Sequence, residues 1–183
     1  MSTLSVFNFI TLNGFYKGTN GDISWHQHGS AENSYAMRML QKGNVLLFGR
    51  VTYEMMRSYW PTPFAKQNDP VLAGMMNNAE KLVFSKTLQA ADWNNTTIVN
   101  NMLEEVIILK RSSNKDMTIL GSGTIVTQLA AANLIDEYQI MIDPILLGSG
   151  TPILNNSTSN LHLQLVSATP FESGVVLLCY HPK

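Results

Sequence analysis

The chain has 183 residues, of which 45% are hydrophobic and 14% charged, and its formal net charge is -1 from 12 basic and 13 acidic side chains. This balance offers no basic surface for nucleic acid, and the single cysteine, Cys179, excludes an internal disulfide framework and suits a reducing compartment. The N-terminus MSTLSVFNFI lacks the features of a signal peptide, and no apolar run reaches the roughly 18 residues of a membrane helix. We therefore expect a soluble, cytoplasmic protein that forms one domain over residues 1–183.

The first third of the chain alternates between strand-like and helical patterns. The β-rich run Leu4 to Ile10 predicts a strand, and Gly14 to Gly29, with four glycines and no periodicity, predicts a long loop. Ser30 is a plausible N-cap for a helix over Ala31 to Lys42. The apolar run Val45 to Phe48 predicts a buried strand.

The middle of the chain continues this alternation, and its last third loses the helices. A short helix is predicted over Val51 to Ser58, and three prolines indicate irregular structure to about Asp69. The further predicted strands are Leu82 to Phe84, Thr96 to Val99 and Met117 to Leu120, and the further helices are Met102 to Lys110 and Ile125 to Ala132. Glu137 to Ile142, Leu161 to Leu165 and Gly174 to Tyr180 read as strands without helices between them. The fold class is therefore α/β, with a mixed, mainly parallel sheet flanked by helices and antiparallel C-terminal strands.

The tetrapeptide GSGT occurs twice, each time after an apolar run, and the two copies lead into different patterns. Gly121 to Thr124 precedes a helical pattern, so free N–H groups and the helix dipole could bind an anion such as a pyrophosphate. A tight turn that needs glycine only for its geometry is the competing interpretation, because the third glycine of a dinucleotide fingerprint is absent. Gly148 to Thr151 runs into Pro152, and we interpret this copy as a bend between strand segments that could wall a site or shape a subunit contact.

Glu32 falls in the middle of the apolar face of the first predicted helix, in register with Ala36 and Leu40. One interpretation is a first-turn glutamate that is stabilised by the helix dipole and still reaches solvent. The other is a pocket acid that supplies or orients a proton during catalysis. Both remain open from the sequence.

The tripeptide His26-Gln27-His28 is a candidate metal site. Two histidines at this spacing make a poor zinc signature without further ligands, so we expect no metal.

The segments GDISW, LLFGRVTYE, VFSK, ILGSGT and PILLGSGTP follow one another in this order along nearly the whole chain. Their order resembles the dihydrofolate reductase-like superfamily. Within it, the chain resembles the branch of the C-terminal reductase domain of the bifunctional deaminase-reductase of bacterial riboflavin biosynthesis.

The resemblance implies an NADPH-dependent oxidoreductase with a dihydrofolate reductase-like fold. It places Gly49, Arg50 and Thr52 at the cofactor phosphates, Ser85 and Lys86 at the adenosine end, and the segment Gly121, Ser122, Gly123 and Thr124 at the pyrophosphate. A cation such as Lys86 would suit the extra phosphate of NADPH over NADH. The residues Thr11 to Gly29 match the flap that closes over nicotinamide, with Trp25 shielding hydride transfer from water.

The implied reaction is hydride transfer to a small heterocycle, either a pyrimidine ribosylamine of riboflavin biosynthesis or a pterin-like compound, with Glu32 assisting protonation. Many relatives in this branch carry aspartate where Asn13 stands here, so a charge role at that position is absent. This departure keeps a second hypothesis open, a nucleotide- or small-ligand-binding protein without turnover. The resemblance also implies a homodimer.

Overall fold

The computed structural model describes residues 2–26, 29–154 and 160–183, and its centre is an eight-stranded sheet. The strand order is β5-β4-β3-β6-β1-β7-β10-β9, and all neighbouring pairs from β5 to β7 are parallel. Strands β10 and β9 are antiparallel to their neighbours and form one edge. The predicted mixed, mainly parallel sheet with antiparallel C-terminal strands is confirmed.

The strands are β1 Leu4–Thr11, β2 Phe15–Gly18, β3 Val45–Gly49, β4 Lys81–Phe84, β5 Thr96–Val99, β6 Met117–Leu120, β7 Glu137–Asp143, β8 Gly150–Pro152, β9 Leu163–Pro170 and β10 Val176–Pro182. The helices are α1 Ser30–Gln41, α2 Arg50–Tyr59, α3 Pro63–Asn68, α4 Pro70–Asn78, α5 Met102–Ser112 and α6 Gly123–Ala131. Strands β2 and β8 form a separate two-stranded sheet.

Helices cover both faces of the parallel strands, which explains why those strands are continuous apolar runs. Helices α5 and α6 pack on one face through Val106, Ile125 and Leu129. Tyr53 of α2 and Met76 of α4 pack on the other face against Phe48. These side chains fill the space between the sheet and the helices. The C-terminal ends of the strands lie beyond this packed region.

Two segments that the sequence indicated to be irregular contain regular structure. The expectation of irregular structure to Asp69 was wrong, because Pro63 and Pro70 each occupy the first turn of a helix, where their missing N–H costs no hydrogen bond. Thr62 caps the first of these helices by accepting a hydrogen bond from Ala65 N. The loop predicted from Gly14 to Gly29 contains strand β2, which pairs with β8.

The N-terminus of α1 also differs in detail from the expectation. The helix begins at Ser30, and Gly29 occupies the N-cap position without a side-chain capping bond. Among the described residues, the helices are all too short or too polar to cross a membrane.

Lys81, at the start of β4, is a fully buried cation held by neutral partners. Its Nζ donates to the carbonyl oxygens of Asn77 and Ala79 at the end of α4 and lies 4.5 Å from the ring centre of Trp93. Burial lowers the pKa of Lys81 to about 8. The ammonium group therefore satisfies two carbonyl groups at the C-terminal end of α4, and the burial of its charge costs free energy.

We expect the stability of the protein to rise relative to a Lys81→Met variant between pH 8 and pH 10. In that window unfolded Lys81 still binds a proton that the folded protein has released, since its pKa falls from 10.5 to about 8 on folding. The gain is up to about 1.4 kcal/mol per pH unit. Tyr138, whose pKa burial raises to about 12, acts in the opposite direction only above its unfolded pKa of 10.0, outside the window.

Urea unfolding of both proteins at the two pH values measures this difference. The matched control is Lys66→Met on the exposed surface of α3. A free-energy difference between wild type and Lys81→Met that stays constant across the window would contradict the expectation.

Candidate active site

A cavity of about 830 Å³ lies at the C-terminal edge of the parallel strands. Phe9, Gly49, Phe84 and Leu120, at or near the ends of four neighbouring strands, contribute to its wall. Helices α1, α2 and α4 add an apolar part of the wall, formed by Ala36, Met39, Leu40, Met55, Met56, Tyr59, Leu72 and Met76. This edge is where open α/β sheets bind ligands, because the connecting turns meet there.

The first GSGT copy forms the turn between β6 and α6 and lines the cavity. Gly121 has φ +59°, and a Cβ atom there would lie 3.2 Å from Cγ2 of Thr52. Ser122 is also left-handed and accepts the amides of Ile125 and Val126 on its carbonyl, which starts α6. The strand–turn–helix arrangement is confirmed, and the N-terminus of α6 offers amide groups and positive partial charge to the cavity.

The hydroxyl of Ser122 joins this turn to the one after β3. It accepts a hydrogen bond from Gly49 N at 3.0 Å and donates to Leu120 O at 3.2 Å. From β1, the side-chain amide of Asn8 donates to Gly121 O at 3.1 Å. The ends of β3 and β6 and the middle of β1 are therefore hydrogen-bonded together around the turn, and Ser122 organises the turn through its side chain.

The predicted cations of the cofactor site are exposed at the cavity mouth. Nη1 of Arg50 lies 3.0 Å from both carboxylate oxygens of Glu54, and both side chains are about half exposed, so the pair contributes little to stability. The Ser85 hydroxyl accepts the amides of Thr87 and Leu88 and so shapes the turn that presents Lys86. Arg50, Ser85 and Lys86 all line the cavity.

The second GSGT copy supports the flap, defined here as residues 11–29. Gly150 pairs with Gly18, and a Cβ on Gly150 would lie 2.6 Å from Lys17 O. Asn13 donates to Leu147 O at 2.7 Å and accepts from Leu147 N at 3.2 Å. Gly148 and Ser149 form a bend between strand segments, as predicted, whereas Gly150 and Thr151 already belong to β8. An asparagine at position 13 matches both partners, where an ionised aspartate could only accept.

Tyr16 of β2 extends from the flap over the turn formed by Gly121 to Thr124. A Cβ on Gly123 would lie 2.9 Å from two ring carbons of Tyr16, and both residues line the cavity. A side chain at position 123 would therefore displace the Tyr16 ring.

Trp25 packs beside the cavity wall and does not occur among the described residues that line the cavity. Its indole Nε1 donates to Asp22 O at 3.1 Å, and its ring meets Phe9 edge-on with centroids 5.7 Å apart. Phe9 does line the cavity, so Trp25 is one side chain removed from it. Its shielding role stays a prediction.

Glu32 is buried in the cavity wall, with only 3% of its surface exposed. Oε1 accepts a hydrogen bond from the hydroxyl of Ser173, in the turn between β9 and β10. Oε2 lies so close to Gly29 that a Cβ there would overlap it. The carboxylate is thus held by a residue 141 positions away in the sequence, packs against the neighbouring Gly29, and does not reach bulk solvent as an ordinary first-turn glutamate would.

The structure also places His26 in the cavity wall, paired with Asp143 at the end of β7. Nδ1 lies 2.9 and 2.8 Å from the two carboxylate oxygens, and the imidazole stacks on Phe9 with ring centroids 3.8 Å apart. The sequence marked His26 only as a metal candidate, and Gln27 and His28 of that motif lie outside the described residues. Asp143 carried no local signal, because its partner is 117 positions away.

Every predicted site residue except Trp25 therefore lines one cavity, namely Glu32, Gly49, Arg50, Thr52, Ser85, Lys86, Gly121, Ser122, Gly123 and Thr124. Across the described parts of the chain, no group of three or more His, Cys, Asp or Glu residues is arranged to hold a metal ion.

We expect Gly123→Ala to lower the free energy of unfolding by about 1–3 kcal/mol, because the new methyl group collides with the Tyr16 ring. In a Tyr16→Ala background the same substitution should cost much less. Gly74→Ala in α4, where nothing lies within 4 Å of the added carbon, is the matched control and should not destabilise. Equal costs of Gly123→Ala with and without Tyr16, measured by urea unfolding, would show that the flap does not make this contact.

The sequence of the chain matches the RibD C-terminal domain family over residues 2–177. It is 30% identical to the uncharacterized protein YyaP of Bacillus subtilis over 176 residues, covering 94% of this chain and 90% of that protein.

Two solved structures share the fold at lower identity. A putative riboflavin biosynthesis protein from Shewanella sp. PV-4 has a TM-score of 0.78 at 20% identity, with 99% of each chain covered. Dihydrofolate reductase from Enterococcus faecalis, complexed with NADP(H), has a TM-score of 0.67 at 16% identity, with 99% of this chain and 96% of that chain covered. Both confirm the dihydrofolate reductase-like architecture, and the family match over nearly all of its length shows that this chain belongs to the RibD C-terminal domain family.

Proposed function

We propose that the protein is an NADPH-dependent reductase that transfers a hydride to a small heterocyclic substrate, a pyrimidine ribosylamine or a pterin-like compound. One observation carries the proposal: a single cavity joins a glycine-lined helix N-terminus to a buried carboxylate, Glu32. The first feature suits a diphosphate, and the second suits the N–H groups of a heterocycle.

The described residues fit the cofactor. The glycines at 121 and 123 keep side-chain carbon away from the N-terminus of α6, and Thr52 lies beside them. Arg50 would turn from Glu54 to a phosphate oxygen, a change of partner that costs little at an exposed pair. Lys86 would contact the phosphate that distinguishes NADPH from NADH.

NADPH, when bound, would supply the hydride. The chain's own residues would orient the substrate and exclude water. The Glu32 carboxylate, held by Ser173, would bind the ring nitrogens of the substrate and assist its protonation. Tyr16 of the flap would close over the turn at Gly121 to Thr124, and Trp25 would support the cavity wall beside the reacting atoms through Phe9.

Similarity to known proteins supports this proposal. The family match covers nearly the whole chain, and the Enterococcus faecalis structure of the same fold is named as a reductase complexed with NADP(H). The Shewanella protein is named for riboflavin biosynthesis, which supports a pyrimidine as one of the two substrate classes.

We expect the nicotinamide fluorescence of NADPH to rise when the protein is added. The Glu32→Gln variant should bind NADPH as tightly as wild type does. Absence of binding at high micromolar cofactor would contradict the proposal. With pyrimidine ribosylamines and dihydropterins as substrates, Glu32→Gln should lower turnover about 100-fold or more, because glutamine lacks the carboxylate that assists protonation. The matched control is Glu104→Gln, the same exchange on the exposed surface of α5, which should leave turnover unchanged.

The second candidate is a nucleotide- or small-ligand-binding protein without turnover. Asn13 favours it, because the resemblance implies an acid at this flap position in many relatives, and here the amide of Asn13 is engaged with Leu147. NADPH that binds but is never consumed across the substrate panel would favour this candidate. A reductase activity that Glu32→Gln abolishes without loss of cofactor binding would reject it.

We also propose that two copies of the chain associate through strand β9. This strand is an edge of the large sheet and carries no charged residue in the sequence LQLVSATP. Leu165 and Val166 are 52% and 55% exposed. Uncharged, apolar edges of this kind pair with another strand unless they are protected, and a second copy offers the same edge.

We expect light scattering to give the mass of a dimer for wild type and of a monomer for Val166→Lys, because the new charge would be buried in the interface. Val71→Lys, at an equally exposed valine on α4, is the matched control and should stay dimeric. A wild-type protein that is monomeric at micromolar concentration would reject the dimer.

A further inference from the structure

The helix-lined end of the cavity, formed by α1, α2 and α4, has no role in the function proposed above. Each of these helices turns one face to it. On α4, Leu72 and Met76 follow Asp69 at spacings of three and four residues, so the three side chains share the face that lines the cavity. On α2, Met55 and Tyr59 share a face in the same way. A ligand that fills the cavity must contact these faces.

The face of α1 leads from the proposed substrate-binding carboxylate into this end of the cavity. Glu32 is in the first turn of the helix, and Ala36 and Leu40 follow it at spacings of four residues on the cavity side. Eight residues of helix span about 12 Å, which exceeds the length of a fused two-ring heterocycle. A ring held by Glu32 would therefore leave the far end of this face to a group that the ring carries.

The surface that this group would meet is apolar. Five side chains that line the cavity belong to one buried apolar cluster or pack against it, namely Leu40, Met56, Trp60, Leu72 and Met76. The indole Nε1 of Trp60 is already engaged with Sδ of Met56 at 3.1 Å. A polar group placed against this cluster would lose hydrogen bonds to water, whereas the flexible methionine side chains can close around an apolar group.

Among the described residues, the lysine and arginine side chains of the wall lie beside the strand ends and the first GSGT turn. Arg50 begins α2 directly after Gly49, which is hydrogen-bonded to that turn. Nζ of Lys17 lies 5.4 Å from the ring centre of Tyr16, which covers the same turn. Lys86 follows β4, the neighbour of β3 in the sheet. The far end of α2 is about 14 Å away along the helix axis, so these cations suit the phosphates of a nucleotide.

The helix-lined end carries carboxylates instead, those of Glu32 and Asp69. Asp69 occupies the N-cap position of α4, and its side chain caps none of the described amides. The N-terminus of a helix attracts anions, but here Asp69 itself supplies the negative charge. His26, also in the wall, faces Asp143. A phosphate or carboxylate on the substrate would therefore meet like charge at this end, while the lysines and the arginine lie at the other.

We infer that the substrate carries an uncharged apolar group on its heterocycle, that this group lies between α1, α2 and α4, and that anionic substituents are rejected there. The inference rests on the proposed function, because Glu32 must hold the ring for the group to extend along α1. It separates the two proposed substrate classes. A pterin-like ring with an alkyl or aromatic substituent fits, whereas a pyrimidine with a phosphorylated ribose would bring a charge beside Asp69.

Ligands that differ only in this substituent test the inference. The neutral ligands are dihydropterins with a methyl or a propyl group on the pyrazine ring, and the charged partner of the propyl compound carries a carboxyethyl group. A pyrimidine ribosylamine with and without its phosphate gives a second matched pair. Dissociation constants from the quenching of tryptophan fluorescence, measured with and without NADPH, require no turnover.

We expect the propyl compound to bind about tenfold more tightly than the methyl compound, because each buried methylene adds about threefold to affinity. The carboxyethyl compound should bind about tenfold more weakly than the propyl compound, and the phosphorylated ribosylamine more weakly than the unphosphorylated one. An anionic ligand that binds as tightly as its neutral partner would overturn the inference, as would equal affinities of the methyl and propyl compounds.

Removal of the acid tests its part in this selection. Asp69→Asn should tighten the binding of the carboxyethyl compound about fivefold and leave that of the propyl compound within about twofold, because only the anion meets the lost charge. Glu104→Gln, which removes an acid from the exposed surface of α5, is the matched control and should change neither affinity.

A cation added to the apolar face of α2 should reverse the preference. Met55→Lys should weaken the binding of the propyl compound and tighten that of the carboxyethyl compound. Leu103→Lys on α5 is the matched control, since Leu103 is 41% exposed and Met55 37%, and it should change neither affinity. An unchanged preference in either Asp69→Asn or Met55→Lys would overturn the inference.

Failure of this inference and failure of the proposed function give different results. Selective binding of the neutral ligands without their reduction by NADPH would reject the reductase and support the inference. NADPH-dependent reduction that favours the phosphorylated ribosylamine would support the reductase and overturn the inference. Absence of binding by every ligand, with and without NADPH, would also overturn it.

Discussion

The parallel register of β3, β6 and β1 is the constraint on which the site depends. It brings Gly49, the Gly121 turn and Asn8 side by side, where the Ser122 hydroxyl and the Asn8 amide hydrogen-bond the three strands together. The turns after β3 and β6 both lead into helices whose first residues line the cavity, so the helix dipole of α6 acts on it. Loss of register between any two of these strands would move one turn by about 3.3 Å, more than a hydrogen bond tolerates.

The parallel half of the fold could be predicted from the sequence because its signals are local. The continuous apolar run Val45 to Phe48 reflects a strand covered on both faces, and the GSGT turn before an apolar helical pattern reflects a strand–turn–helix unit. The inward direction of Glu32 also followed from helical periodicity. The prolines at 63 and 70 misled, because proline disrupts a helix interior but is well accommodated in a first turn.

The remaining features of the site arise from contacts with no local pattern. Ser173 meets Glu32 across 141 positions, and Asp143 meets His26 across 117. Tyr16 lies in a glycine-rich segment that gave no strand signal. Its strand, β2, pairs with β8, which is too short to be recognised from its own sequence. Trp25 was assigned by resemblance alone, and the fold places it behind Phe9.

The supports of the two halves of the cavity come from different parts of the sheet. The turns that would hold phosphates leave the parallel strands, whereas Glu32, His26 and the flap are held by Ser173, Asp143 and the segment around Leu147, all in or beside the antiparallel edge. Substitutions in those connections can reshape what the cavity accepts without disturbing the turns that would grip a nucleotide. The architecture thus allows one part of the sheet to change what the cavity accepts by evolution while the turns that would hold a cofactor stay unchanged in another.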